Sequence, residues 1–147
     1  MVRPRMDSNV RPRLVPELLC RDVQASLAFY RNIIGFEVLY ERPEEGFAYL
    51  SLSGAELMLE QENDHWTTGQ REPPFGRGVN FQIEVDDADE VVSRLVEAGV
   101  TLFRPIEDSW YRAGQDELGN RQFLVQDPDG YLLRFFHDLG RRKLFLD

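Results

Sequence analysis

Residues 120–137, NRQFLVQDPDGYLLRFFH, decide the fold of this chain. The first part predicts a strand, with Phe123 and Val125 on one face and Leu124 and Gln126 on the other. Residues 127–130 (DPDG) then supply a tight turn, because proline fixes φ at the second position and glycine tolerates a positive φ. The almost wholly apolar stretch that follows is interrupted by one charge, Arg134. The segment therefore predicts a β-hairpin whose second strand carries a single charge.

This hairpin has an earlier counterpart in residues 47–60, FAYLSLSGAELMLE. When Gly54 is aligned with Gly130, LML at 57–59 falls on LRF at 133–135. The preceding segments also match in order, each with a short strand ending in aspartate, a helical stretch, and a glycine before a strand. These pairs are 15–22 with 80–87 and 35–39 with 99–103. Co-linear matches favour a repeat over chance likeness, so we predict the order strand–helix–strand–strand–strand, twice.

Two amphipathic helices are predicted at residues 23–33 and 88–98. Each follows an aspartate, Asp22 or Asp87, that can cap its first turn. The spacing of apolar residues and the positions of turn residues indicate the remaining elements. They are strands at 37–42 and 101–106, an irregular linker at 63–78, and a second long loop at 107–119.

The 147 residues suit one compact domain, which we place at 14–138, with modules 14–62 and 79–138. Residues 1–13 are predicted to be a flexible basic leader, and residues 139–147 a C-terminal tail. Apolar content of 42% is that of a globular protein. No apolar run approaches the roughly 20 residues of a membrane-spanning helix, and the first residues lack the apolar stretch of a signal peptide. A single cysteine fits a reducing cytosol, so a cytoplasmic protein is expected.

Charge is uneven along the chain, whose net charge is −9. Four arginines and one aspartate give the first thirteen residues +3, so the remainder carries −12. An acidic body argues against nucleic acid as a partner and is compatible with a cationic ligand. An ordinary solvated acidic surface is the other interpretation.

From about residue 14 to about residue 138 the chain resembles the vicinal-oxygen-chelate superfamily of glyoxalase I, extradiol dioxygenases, and fosfomycin- and bleomycin-resistance proteins. The segments that carry the resemblance are RDV at 21–23, SLAFY at 26–30, IGF at 34–36, AELMLE at 55–60 and VQDPDGYLLR at 125–134. The resemblance implies an α+β fold of two tandem βαβββ modules that form a cup of curved mixed sheet. It also implies a homodimer, in which modules pair within or across chains to complete two sites.

The resemblance also implies four metal-ligand positions, occupied here by Val15, Met58, Asn80 and Arg134. Hard or borderline cations need imidazole or carboxylate donors, which none of these supplies. Arg134 would repel a divalent ion, because a guanidinium cannot be deprotonated. We therefore expect neither a metal nor another cofactor, and we assign no catalytic residue.

This pattern is similar to the bleomycin-resistance branch, which sequesters a ligand in an aromatic groove at the dimer interface. The aromatic candidates for such a groove are Phe47, Tyr49, Trp66, Trp110, Tyr111 and Phe123. For Phe47, Tyr49 and Phe123, packing within the sheet is an equally good interpretation. Arg134 either binds an anionic group of the ligand or pairs with Glu84 or Glu17.

The resulting hypothesis is a metal-free protein that sequesters an aromatic small molecule able to carry a positive charge. The alternative is a metal-dependent lyase, isomerase or dioxygenase with displaced ligands, resembling a glyoxalase or an extradiol dioxygenase. Metal-binding groups do occur at Glu60, Glu62, Asp64 and His65, but they follow no recognised ligand spacing. The acidic residues among them, close to Trp66, either attract a cationic ligand or form a solvated strand end.

Overall fold

The computed structural model describes residues 11–144. They form two compact units, the first reaching Gly78 and also containing Asp127–Tyr131, and the second comprising Val79–Gln126 and the chain from Leu132 onwards. Each unit contains one helical segment and a four-stranded mixed sheet, which confirms the α+β class and the repeated strand–helix–three-strand order. No helix in the described residues is both long and apolar enough to cross a membrane.

The first unit has its strands in the order β1-β4-β3-β2, with β1 parallel to β4 and the other pairs antiparallel. Its elements are β1 (Glu17–Cys20), α1 (Val23–Leu27) with a π-helical continuation (Ala28–Ile34), β2 (Glu37–Arg42), a 3-10 turn (Pro43–Glu45), β3 (Phe47–Leu52) and β4 (Ala55–Gln61). The predicted first helix is thus present, although its second half widens to π geometry.

Local sequence explains where α1 begins and where its continuation ends. The Asp22 carboxylate accepts the backbone N–H groups of Gln24 and Ala25, which satisfies donors that have no partner within the helix. Gly35 then ends the segment with φ of 105°. The apolar stripe of this helix is buried over one face of the sheet. The buried residues on that face are Leu18, Cys20, Ala48, Leu50, Leu57 and Leu59.

The second unit repeats the plan in the order β5-β8-β7-β6. Its elements are β5 (Asn80–Glu84), α2 (Ala88–Glu97), β6 (Arg104–Ala113), β7 (Asp116–Gln126) and β8 (Leu132–Lys143). Asp87 caps α2 as Asp22 caps α1, by accepting the N–H groups of Asp89 and Glu90. The helix packs against β6, β7 and β8. Leu95 on the helix and Phe135 on the sheet have no exposed surface.

Two predictions for the second unit were wrong. The loop expected at residues 107–119 is a β-hairpin, because β6 pairs with β7 from Arg104 to Ala113. The strand expected at 101–106 begins only at Arg104. β6 lies at the edge of its sheet and is mostly exposed, so it lacks the alternation of apolar residues from which a strand is recognised.

The ends of the chain bear on two further predictions. β8 continues to Lys143, so residues 139–143 of the expected tail belong to a strand. The basic leader lies outside the described residues, apart from 11–13, as does the end of the tail beyond residue 144. The expected linker, 63–78, contains turns and bends but neither helix nor strand.

The 127–130 turn is anchored within the first unit by buried polar side chains. The Asp127 carboxylate accepts the backbone N–H groups of Asp129 and Tyr131, and it accepts the hydroxyl of Tyr30 at 2.7 Å. Burial raises the pKa of Asp127 to about 6. Asp129 accepts both the backbone N–H and the Nε–H of Arg21. The predicted turn is therefore present, and it is more deeply buried than a surface hairpin turn.

Candidate functional site

The sheet face of the first unit that points away from α1 carries the side chains able to meet a ligand. Strand register arranges them in two rows. The first row runs Glu17–Met58–Tyr49–Tyr40, and the second runs Leu19–Glu60–Phe47–Arg42. We call this surface the aromatic–acidic face. Because side chains directly opposite on neighbouring strands lie about 5 Å apart, each row forms a continuous strip.

Two tyrosines at one end of the first row form a platform that holds a cation. Tyr40 and Tyr49 are stacked, with ring centroids 5.1 Å apart and planes inclined at 15°. The Tyr49 hydroxyl donates to Glu56 at 2.7 Å, which fixes its ring. The guanidinium carbon of Arg11 lies 5.9 Å from the Tyr40 centroid and 5.7 Å from that of Tyr49. These distances are those of a cation–π contact.

The other end of the face is acidic. Burial raises the pKa of Glu17, and the neighbouring Glu60 carboxylate raises it further, against an opposing effect of Arg42. In the described residues, Glu60 Oε2 is buried without a hydrogen-bond partner. A cation placed beside Glu17 would favour its ionised form and so offset both effects.

The predicted site residues of the first unit are only partly brought together. Phe47 and Tyr49 share the aromatic–acidic face but expose 4% and 2% of their surface. Tyr40, which sequence analysis did not select, is 38% exposed and offers the accessible ring of the pair. Trp66 lies in the irregular segment after β4 and does not belong to either row.

The predicted aromatic residues of the second unit lie in different environments. Phe123 is on the face that packs against α2, stacked on Phe135 with no exposed surface. Trp110 is on β6, and the Arg142 guanidinium carbon lies over its ring, 3.9 Å from the ring centroid. Tyr111 follows it and is 42% exposed. Phe123 therefore belongs to the core and does not share a face with Arg134.

Arg134 sits on the opposite face of that sheet, in the row Gln82–Arg134–Leu124–Arg104. The neighbouring row is Glu84–Phe136–Gln122–Glu107. Within the described part of the chain, Arg134 makes no ion pair with Glu84, and its buried Nε has no hydrogen-bond partner. The expectation of a structural pair with Glu84 is thus wrong.

The positions that the family resemblance marks as metal ligands do not fit a metal. In the parallel ladders Met58 lies opposite Glu17, and Arg134 lies opposite Gln82. Val15 precedes β1 altogether, and Asn80 lies opposite Leu132. The prediction that these two residues share sites with Met58 and Arg134 is therefore wrong in register. A thioether is too soft for Mg²⁺, Mn²⁺ or Zn²⁺ sites built on oxygen and nitrogen, and the guanidinium repels any divalent ion.

In the described residues, one group of three potential ligands comes together elsewhere in the second unit, at Asp87, Asp89 and His137. Each already has a structural role. Asp87 caps α2, Asp89 binds Arg121 through both carboxylate oxygens, and His137 Nδ1 accepts the backbone N–H of Ala88 at 2.8 Å. The loop residues Glu62, Asp64 and His65 do not form such a group.

Known proteins resemble this chain over most of its length. The sequence model of the Glyoxalase/Bleomycin resistance protein/Dioxygenase superfamily matches residues 14–135. A bleomycin resistance protein of Geobacillus stearothermophilus is 28% identical over 135 residues, covering 85% of this chain and 96% of that protein. The structure of TioX from Micromonospora sp. ML1 gives a TM-score of 0.65 at 25% identity, covering 87% of this chain and 100% of the other. A Mn(II) complex of a mutant fosfomycin resistance protein, FosX from Listeria monocytogenes, shares the fold. It gives a TM-score of 0.58 at 18% identity, covering 87% of this chain and 92% of the other.

Proposed function

We propose that this chain, which belongs to the Glyoxalase/Bleomycin resistance protein/Dioxygenase superfamily, is a binding protein and not a metalloenzyme. It sequesters an aromatic small molecule able to carry a positive charge, and it does so without a metal or other cofactor. The aromatic–acidic face of the first unit receives this ligand. Similarity to a bleomycin resistance protein makes bleomycin the first compound to try.

One observation carries the proposal, namely the guanidinium of Arg11 over the stacked rings of Tyr40 and Tyr49. A side-chain cation already sits where the cationic group of a ligand would bind. An aromatic ring of the ligand would extend the same stack, since offset ring pairs are favourable at centroid distances of about 4.5–7 Å. Tyr40 is the ring that such a ligand reaches first, because it is the more exposed of the two.

Charge on the same face supports a cationic ligand. Glu17 and Glu60 lie on adjacent strands, and the Glu60 carboxylate adds to burial in raising the pKa of Glu17. A bound cation offsets these effects, so binding and ionisation reinforce each other. Met58 between them adds a polarizable thioether that packs well against aromatic rings.

The residues at two of the family's metal positions are the reason for preferring binding to catalysis. Met58 and Arg134 occupy positions at which a metal enzyme needs carboxylate or imidazole ligands. We further propose that the protein is a cytoplasmic homodimer in which the ligand groove lies at the dimer interface. Light scattering coupled to size-exclusion chromatography tests the dimer directly.

Elemental analysis of the purified protein and calorimetric titration with bleomycin test the proposed function together. We expect no stoichiometric transition metal and a saturable titration that survives chelator treatment. Tyr40→Ala should weaken binding by about tenfold, as expected for loss of a cation–π contact and a stacked ring. Tyr111→Ala is the matched control, because Tyr111 is similarly exposed, 42% against 38%, but lies in the second unit. Stoichiometric Zn, Ni, Mn or Fe, with an activity abolished by chelator, would contradict the proposal.

A further inference from the structure

We propose that the second unit carries a separate binding site for an α-hydroxy carboxylate, formed by Arg134 and Gln122. This site goes beyond the proposed function, since it uses other residues and a ligand group of opposite charge. It stands whether or not the aromatic–acidic face binds a cation.

The two side chains lie on one face of the sheet and close to each other. Arg134 on β8 is directly opposite Leu124 on β7, and Gln122 is directly opposite Phe136. Arg134 and Gln122 are therefore diagonal neighbours across an antiparallel pair. Such neighbours lie about 7–8 Å apart, within the span of a small molecule that bonds to both side chains.

Arg134 presents a donor that the described residues leave unsatisfied. Its Nε is buried, no hydrogen-bond partner meets it, and no carboxylate of that part of the chain pairs with the guanidinium. Buried donors in native proteins are almost always bonded, and charged ones most strongly so. The Nε edge of a guanidinium is also the edge that, with one terminal nitrogen, grips a carboxylate through two parallel hydrogen bonds.

Gln122 presents a matching acceptor. It is only 4% exposed, and its Nε2 donates to the Tyr111 hydroxyl. Its Oε1 is buried and has no partner among the residues described. A buried carbonyl oxygen, diagonal on the sheet to a guanidinium whose Nε is buried and unpaired, forms with it an acceptor and a donor that both lack a counterpart.

The ligand that completes this pair carries one negative charge and an adjacent hydroxyl. A carboxylate accepts from Arg134, and a hydroxyl on the next carbon donates to Gln122 Oε1. A dianion such as phosphate fits less well, because Glu84 and Glu107 end the row that contains Gln122. Phe136 lies between Glu84 and Gln122 in that row and offers apolar surface. An aryl α-hydroxy acid therefore matches the whole face.

The test is a titration with mandelate, followed through the Nε–H signal of Arg134 in ¹⁵N-resolved NMR spectra. That signal is assigned by its absence in Arg134→Lys. Mandelate should shift it saturably, whereas phenylacetate, which lacks the hydroxyl, and mandelamide, which lacks the charge, should each bind about tenfold more weakly or not at all.

Two substitutions separate the roles of the side chains. Arg134→Gln should abolish mandelate binding, and Arg134→Lys should restore only part of it, because lysine keeps the charge without the planar fork. Gln122→Leu should lower the mandelate affinity to that of phenylacetate and leave phenylacetate unchanged. If Arg134→Gln does not fold, the mandelate titration of the wild-type Nε–H signal and the affinities of Gln122→Leu still test the proposal.

An Arg134 Nε–H signal that mandelate does not move overturns the proposal, as does equal affinity for mandelate and phenylacetate. Either result leaves the proposed function intact, since that function is measured with cations at Tyr40. Conversely, loss of cation binding at Tyr40 leaves the mandelate result unaffected.

Discussion

The two units share one backbone plan but present opposite chemistry on equivalent rows of their sheets. In the first unit the row through the fourth strand reads Glu17–Met58–Tyr49–Tyr40, and in the second it reads Gln82–Arg134–Leu124–Arg104. The first is acidic and aromatic, and the second is basic. A duplicated fold therefore keeps its topology through caps and turns, while side chains at matching register positions give each face its own chemistry.

The hairpin turns of the two units differ in a comparable way. Gly54 and Gly130 occupy equivalent turns with φ of 96° and 95°. A Cβ on Gly54 would meet nothing within 4 Å, whereas a Cβ on Gly130 would lie 2.5 Å from Pro74 Cα. The same backbone conformation is thus an open surface turn in one case and a tightly enclosed one in the other.

The largest expected effect uses this difference between the turns. Gly130→Ala should lower the free energy of unfolding by about 3–5 kcal/mol. Alanine is strained at a positive φ, and its Cβ would also clash with the backbone of Pro74. Gly54→Ala, with the strain alone, should cost about 1–2 kcal/mol. Denaturant unfolding of both variants measures the two values. Equal losses of unfolding free energy in the two variants would show that the close packing around Gly130 adds nothing to the cost of the substitution.

The next effect concerns the buried carboxyl group that anchors the enclosed turn. The pKa of Asp127 is raised to about 6, so in the folded state it holds its proton to higher pH than in the unfolded chain. Its contribution to stability is therefore full below pH about 4 and is lost as the pH rises through about 6. The shift corresponds to about 3 kcal/mol. Asp127→Asn should remove this pH dependence of stability, because an amide does not titrate. The variant should still fold, since the amide can bond to the Tyr30 hydroxyl and to the turn.

Unfolding free energies of the wild type and of Asp127→Asn, measured between pH 4 and pH 7, check this expectation. The difference between the two proteins isolates Asp127 from other carboxyls, such as Asp89, whose pKa is lowered by Arg121. A difference that does not vary with pH would contradict the raised pKa.

A smaller effect concerns the acidic end of the aromatic–acidic face. The pKa of Glu17 is raised by burial and by Glu60, so protonation of Glu17 should weaken cation binding at a pH above the ordinary range of a carboxyl. Cation affinity of the wild type should fall several-fold as the pH is lowered. Glu17→Gln should show at every pH the weak affinity that the wild type shows only at low pH. Calorimetric titrations across the pH range make the measurement. Glu84→Gln, on the second unit, is the control and should retain the pH dependence.

The smallest expected effect concerns Arg11, whose guanidinium occupies the tyrosine platform. A ligand cation must displace it, so Arg11→Ala should raise cation affinity by about two- to fivefold. Arg13→Ala is the matched control, since it removes the same charge from the same segment. An equal gain in both variants would indicate general electrostatics and not displacement from the rings.

Sequence alone predicted the parts of the fold that local chemistry specifies. The caps at Asp22 and Asp87 and the turn at Gly130 are each set by a few neighbouring residues, and all are present. β6 could not be predicted in the same way, because an exposed edge strand needs no apolar alternation. Its pairing with β7 is a non-local property.

The candidate site was less accessible to sequence reasoning than the fold. Tyr40 lies in the stretch EVLYER and becomes significant only through its pairing with Tyr49, which follows an irregularity between Val38 and Tyr40. Phe123, by contrast, could have been excluded earlier. Alternation places it on the face of Val125, opposite the face of Leu124, and Leu124 is the cross-strand neighbour of Arg134.

The measurement that tests the central claim most directly compares benzylammonium with benzyl alcohol, its neutral analogue of nearly equal shape. Both are titrated while the ring signals of Tyr40 and Tyr49 are followed by NMR. We predict that the cation binds saturably, shifts both rings and loses this response in Tyr40→Ala, while the alcohol binds at least about tenfold more weakly. Equal binding of the two compounds, or rings that respond to neither, would contradict the claim that this face selects a cation.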